Sequence, residues 1–233
     1  MFQPGDPAEV IERCHGFKGE LQLQRRGREY EIIYNGVFIM ATYNGASEKA
    51  AVRDALQKAA TSCATPLKVL IGGLGVGFSL REALDYPAVS DVTVVELEPA
   101  VIKWNHNVLA EVNGNALADP RTLILNDDFR KVLRNKGGHH SGNLSGKFHV
   151  VMVDTDNGSS WLSLPDNAEI YSEDGLSLTL KRLYPGGAAC FWAARREEEF
   201  EERLKKYFHR VQFRTVPEKT GHDGCYYLAQ KAL

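Results

Sequence analysis

The stretch Val69-Leu70-Ile71-Gly72-Gly73-Leu74-Gly75-Val76-Gly77, followed by Val94-Val95-Glu96 at the end of the next apolar run, decides the fold. A β-branched run that ends in glycines lets a strand turn tightly into a helix and lets backbone approach a ligand that a Cβ would exclude. An acid closing the next strand stands at the same rim of a parallel sheet, where its carboxylate can accept hydrogen bonds from the two hydroxyls of a ribose. Gly72, Gly73, Gly75, Gly77 and Glu96 are therefore candidate nucleoside-binding residues. A strand-to-helix turn with no ligand is the alternative.

The glycine spacing separates two ligand classes. A dinucleotide fingerprint needs glycines at i, i+2 and i+5, and Phe78 occupies the last place after Gly73 and Gly75. Glycines at i, i+2 and i+4 (Gly73, Gly75, Gly77) are instead similar to the pattern of class I methyltransferase-fold proteins, whose ligand has a sulfonium and no pyrophosphate.

Outward from this loop, Leu67 to the C-terminus alternates strands and helices, the signature of βαβ units. Strands are expected near 67–72, 91–96, 121–125, 148–154, 187–193, 208–215 and 224–230, and helices near 76–84, 98–111, 127–134, 168–183 and 196–206. The last two strands form a hairpin around Pro217 to Asp223. Upstream, Leu21 to Gln24 alternates, and Glu29 to Tyr34 runs through Asn35-Gly36, a dipeptide favoured in two-residue hairpins, into Val37 to Tyr43. Ser47 with Glu48 marks a helix start, and Ala50 to Ala60 supplies its apolar face. The expected fold is α/β: a Rossmann-like class I methyltransferase fold with a seven-stranded, mostly parallel sheet over residues 46–233, preceded by a small antiparallel β unit over 1–45.

A chain of 233 residues with net charge −2 has no basic stripe for nucleic acid, and it has no apolar segment of membrane length. Cys14, Cys63, Cys190 and Cys225 lie far apart without a C-x-x-C pair, as expected of reduced thiols in the cytoplasm. His139-His140 has no partner at ligand spacing, so a solvated loop is expected and no metal. The acidic run from Glu197 to Glu202 before Lys205 and Lys206 fits a solvent-exposed helix. Trp104 and Trp192 are expected in the packed interior; Trp161 and Tyr171 are placed either in an acceptor pocket wall or in the core.

Taken together, the N-terminal β unit, the glycine loop, Glu96, Asn126-Asp127, the strand ending in Asp154 and Leu183-Tyr184-Pro185-Gly186-Gly187 resemble the spermidine synthase family of aminopropyltransferases and their methyltransferase-like relatives. The resemblance implies that Glu96 holds the ribose hydroxyls, that Asp127 faces the adenine amino group, and that Asp154 borders the transferred carbon. It also implies a homodimer. The family's glycine loop carries an aspartate where this chain has Gly75, near the amino tail of decarboxylated S-adenosylmethionine, so its loss tilts the expected cofactor toward S-adenosylmethionine itself. The family's gatekeeping Asp-Ser-Ser-Asp-Pro is here Asp154-Thr155-Asp156-Asn157-Gly158, which moves the second acid off register; Ile39 replaces a glutamine, and Ser47-Glu48 replaces a His-Glu pair.

A sulfonium is already activated, so transfer needs an oriented nucleophile and, for a protonated acceptor, a base. Asp154 and Asp156 are the candidate catalytic acids; capping of the following turn is their alternative role. The leading expectation is methyl transfer from S-adenosylmethionine to a small nitrogen- or oxygen-bearing acceptor. The alternatives are aminopropyl transfer from decarboxylated S-adenosylmethionine to an amine, and a catalytically silent nucleoside-binding scaffold.

Overall fold

The computed structural model describes residues 7–63, 66–134, 146–219 and 221–233; the His139-His140 pair lies outside them. Four strands open the chain, β1 (Glu9–His15), β2 (Glu20–Arg26), β3 (Glu29–Tyr34) and β4 (Val37–Ala41), hydrogen-bonded in sequence order as an antiparallel sheet. The sequence reading missed β1: its residues are mostly exposed and a bulge at Val10/Glu12 breaks the period-2 pattern on which such a reading relies. Leu21, Leu23 and Ile32 of this sheet belong to the same buried core as the helices that follow, so the unit buries its apolar face on the rest of the molecule.

The remaining elements are α1 (Ala46–Ser62), β5 (Leu67–Gly72), α2 (Phe78–Asp85), β6 (Val89–Glu96), α3 (Pro99–His106), β7 (Thr122–Asn126), α4 (Phe129–Leu133), β8 (Phe148–Val153), α5 (Glu173–Arg182), β9 (Leu183–Ala193), α6 (Glu198–Tyr207), β10 (Arg210–Pro217) and β11 (Asp223–Gln230). Their seven strands form one sheet in the order β10-β11-β9-β8-β5-β6-β7, parallel except for β11. This is the Rossmann-like arrangement expected. The central strands alternate between two cores: Val69, Ile71, Val150 and Met152 face α1, α2 and α3, while Leu70, Val151 and Val153 face α4, α5 and α6. Burial on both faces is why these strands are continuous apolar runs.

Three helices are shorter than the periodicity predicts. The expected 98–111 helix stops at His106, where Asn105 and Asn113 side chains bond to backbone and to each other instead of facing solvent. Asp128 caps α4 through the Arg130 amide, and Ser172 caps α5 through the Gly175 amide, so both start later than expected. Strand β9 conversely starts at Leu183, four residues early.

Outside any candidate site, His149 of β8 is largely buried, stacks on Tyr184 at 4.5 Å between ring centroids, and accepts the Lys68 amide at Nδ1 over 2.9 Å. Burial, with the Lys68 charge, lowers its pKa. The folded state thus prefers the neutral ring, and the unfolded chain binds more protons once the pH drops toward the ordinary histidine value of about 6.5; stability is fully present above that value and falls with pH below it. Denaturant unfolding at neutral and mildly acidic pH should show this loss, and the His149→Gln variant, which keeps an acceptor for Lys68, should show less of it. An equal loss in both proteins would remove His149 as the cause.

Candidate active site

Strand order reverses at β5, which has β6 on one side and β8 on the other, so the chain leaves the sheet in opposite directions from adjacent strand ends and opens a crevice there. A cavity of about 520 Å³ occupies this crevice. Gly73, Gly75, Glu96, Asp127, Asp154 and Asp156 all line it, together with residues of the N-terminal sheet, α1 and the β10–β11 turn. Gly72 and Gly77 stand behind it: a Cβ on Gly72 would meet the Phe129 ring at 2.8 Å, and one on Gly77 the Asn113 side chain at 2.9 Å.

Two glycines explain the loop. Gly73 has φ +93° and its α-carbon lies so close to the Asp154 carbonyl that any side chain would overlap it, so this residue lets β5 and β8 end side by side. Gly75 has φ +54°, and a Cβ there would overlap Met40 Sδ. That sulfur also accepts the Val76 amide at 3.3 Å. The space next to position 75 is thus filled by a thioether from β4.

At the β5–β6 rim, Glu96 is 8% exposed and is clamped by two amides: Leu74 N–H donates to Oε2 and Glu98 N–H to Oε1, each at 2.8 Å. Burial pushes the Glu96 carboxyl up, and these amides oppose the rise. Asn126, closing β7, donates its Nδ2 to the carbonyls of Glu96 and Leu97, and Asp127 accepts the Asp128 amide at 2.7 Å. Glu98 accepts the Phe17 amide at 2.8 and 3.0 Å, which ties the β1–β2 turn to this end of the cavity.

On the opposite side, Asp154 closes β8 and receives Ser79 Oγ–H at 3.3 Å. Burial first, then the charge of Glu48, with Asp156 and Glu96 adding to it, holds the Asp154 carboxyl well above the usual range, and the Ser79 hydroxyl only partly offsets them. Burial raises the Asp156 carboxyl as well, and its own hydrogen bonds oppose the rise. Its oxygens accept from Ser163 N (2.7 Å), Asn167 Nδ2 (3.0 Å), Thr155 Oγ1 (2.9 Å) and Tyr171 OH (3.2 Å), so it anchors the segment after β8. Tyr171 is buried beneath that segment, whereas Trp161 lines the cavity and is 54% exposed.

Several lining groups escaped the sequence reading. Trp192, placed there in the packed interior, lines the cavity and donates Nε1–H to Ser47 Oγ at 3.0 Å. Glu48, read as a helix start and as part of the pair that replaces the family's His-Glu, is buried, lines the cavity and raises the Asp154 carboxyl by its charge. Glu218 in the β10–β11 turn caps α1, accepting the amides of Gly45, Ala46 and Ser47 at 3.2, 3.3 and 2.7 Å. No local pattern could connect residues so distant in sequence. Glu197 is likewise no solvated helix face: it receives both hydroxyls of Ser159 and Ser160 and holds the far end of the same segment.

Nine carboxylates line the cavity (Glu48, Glu96, Glu98, Asp127, Asp128, Asp154, Asp156, Glu218, Asp223), and among the described residues no lysine or arginine does. Such a site suits a ligand that carries positive charge at both ends.

Comparison with known proteins gives the family. The chain is 28% identical over 181 residues to a polyamine aminopropyltransferase from Mycobacterium tuberculosis, a match covering 76% of this chain and 31% of that one. It is 28% identical over 130 residues to putrescine N-methyltransferase 3 of Nicotiana tabacum, covering 55% of this chain and 30% of the other; the chain thus spans about a third of the length of these curated relatives. The crystal structure of spermidine synthase from Thermotoga maritima superposes with a TM-score of 0.75 over 96% of this chain and 72% of that one, at 17% identity, and shares its fold. Residues 35–219 match the spermine/spermidine synthase domain, and the chain belongs to that family.

Proposed function

We propose that the protein transfers an aminopropyl group from decarboxylated S-adenosylmethionine to an amine. The observation that carries this reading is the cavity with nine carboxylates and, among its described residues, no lysine or arginine. Decarboxylated S-adenosylmethionine presents a sulfonium and an ammonium, and an amine acceptor arrives as a further cation. S-adenosylmethionine adds a carboxylate, and one placed about 4 Å from any of these acids would meet repulsion of about 4 kcal/mol at an effective dielectric of about 20.

The expectation that Gly75 favours S-adenosylmethionine is therefore replaced by its opposite. Removing an acid at one position leaves Met40 in the vacated space and supplies no cation for a carboxylate. Methyl transfer to an amine is the second reading, supported by the tobacco relative.

In the proposed reaction Glu96 and Asp127 hold the nucleoside, with Gly73 and Gly75 presenting backbone at close approach. The acceptor nitrogen attacks the propyl carbon bonded to sulfur; the C–N bond forms as the C–S bond breaks, and its electron pair leaves with sulfur as a neutral thioether. Asp154 takes the proton that the acceptor ammonium must lose, and Asp156 keeps the segment beside it in place. Because the Asp154 carboxyl lies well above the usual range, activity should rise with pH along a limb displaced upward from ordinary carboxylates.

Calorimetric titration should show decarboxylated S-adenosylmethionine binding at least about tenfold tighter than S-adenosylmethionine, a difference of about 1.4 kcal/mol; equal or reversed affinities would sink the aminopropyl reading. Glu96→Ala should weaken either ligand by about 1.5–3 kcal/mol, the scale of a hydrogen bond to a charged group. Asp154→Asn should lower kcat by about 10²–10⁴-fold while cofactor affinity persists, and should abolish the displaced acid limb. A variant as active as wild type would exclude Asp154 as the base.

A further inference from the structure

Ser47 Oγ has more polar neighbours than its single hydrogen can serve. It stands 2.7 Å from Glu48 Oε2, 2.8 Å from Glu218 Oε1 and 3.0 Å from Trp192 Nε1. An indole N–H only donates, and a hydroxyl has one hydrogen and two lone pairs. Were both carboxyl groups ionised, one of the two short oxygen–oxygen contacts would lack a hydrogen. Every contact is satisfied when one carboxyl carries a proton and donates to Ser47 Oγ, the Ser47 hydrogen goes to the other carboxylate, and Trp192 fills the remaining lone pair. Exchanging the two hydrogens moves the proton from one acid to the other while heavy atoms stay in place.

The two acids differ in access. Glu48 is 5% exposed and faces the cavity, whereas Glu218 is half-buried in the β10–β11 turn. We propose that Glu48, Ser47 and Glu218 share one proton and form the exit path for the proton that the acceptor loses at Asp154; this rests on the amine-acceptor reading above. The path conserves charge and protons: an ammonium proton passes to Asp154 and then to Glu48, the Glu48 proton passes to Ser47 Oγ as the Ser47 hydrogen passes to Glu218, and Glu218 releases one proton to water. The triad ends each cycle holding one proton, as it began. The titratable groups around it are Lys49 on α1, whose ammonium lies over the Phe78 ring at 4.4 Å, Asp154 just after β8, and His222 and Asp223 of the turn that carries Glu218. Burial first, and then the Glu218 charge, raises the Glu48 pKa, while the Ser47 hydroxyl, a backbone amide and Lys49 oppose the rise.

Glu218 acts through Glu48 and Asp154 and is a positioning residue. Its conservative variant keeps most of the cap while blocking proton passage, since in Glu218→Gln an amide oxygen at the Oε2 position still accepts the Gly45 and Ala46 amides and an NH2 at the Oε1 position donates to Ser47 Oγ, with only the Ser47 amide losing its acceptor, leaving no reason for a shared proton. In the ligand-free protein at neutral pH, the infrared difference between wild type and Glu218→Gln should contain one protonated carboxyl, also lost in Ser47→Ala. With decarboxylated S-adenosylmethionine and 1,4-diaminobutane as probes, both variants should remain folded, lose at least about tenfold in kcat with KM nearly unchanged, and gain a larger solvent deuterium effect. Absence of the infrared difference overturns the proposal, as does a Glu218→Gln enzyme with wild-type kcat and pH profile. A wild-type protein that shows the infrared difference but transfers nothing to the diamine supports the shared proton and refutes the transfer reading alone.

Discussion

The structure depends on carboxylates that bind backbone amides across segment boundaries. Glu96 joins the glycine loop to the β6–α3 turn, Glu98 joins that turn to the β1–β2 hairpin, Glu218 joins the closing hairpin to the start of α1, and Asp156 gathers the segment after β8. A buried carboxylate costs several kcal/mol unless its oxygens are satisfied, and amide dipoles satisfy them without neutralising the charge. Arginine partners would stabilise these acids equally well and would cancel the field in the cavity. The acids therefore serve twice, as staples that close the fold and as the source of the potential a cationic ligand would meet.

The N-terminal sheet acquires its place through the same contacts. It shares its apolar residues Leu21, Leu23 and Ile32 with the main core, and it reaches the cavity by Met40 over the glycine loop, by the Phe17 amide on Glu98, and by Lys18 paired at 2.8 Å with Asp166 beyond the Asp156 segment. The ion pair is exposed and contributes little by itself. The buried contacts on either side of it make this sheet one wall of the site.

Much of the parallel sheet was legible because burial on both faces writes itself as uninterrupted apolar runs, and because glycines that allow close backbone approach have no substitute. The Asn35-Gly36 hairpin and the placing of Gly73 and Glu96 at one rim of the sheet follow from such local rules, whereas Asp127 was reached through the family resemblance and the antiparallel closing strand through the methyltransferase-fold plan. Element ends were less legible. Helix α3 ends where asparagine side chains compete for backbone groups, and β1 lacks the alternation that burial would impose. Glu218, Trp192 and Met40 were invisible as site residues since each reaches the cavity from a distant part of the chain.

The proposed cofactor preference rests on reading the whole cavity wall and not one motif departure alone. The Gly75 position suggests room for a carboxylate when the loop is compared with its family residue by residue. Electrostatic potential, however, is a sum over the whole wall, and one lost acid among ten leaves nine acidic residues. Sterics act in the same direction, because the backbone at Gly75 is left-handed and its side-chain space belongs to Met40. In the proposed reading ligand charge is set by the enclosing acids from five separate segments of the chain, and the glycine loop contributes mainly the close approach of backbone that would let a nucleoside lie against β5 and β6.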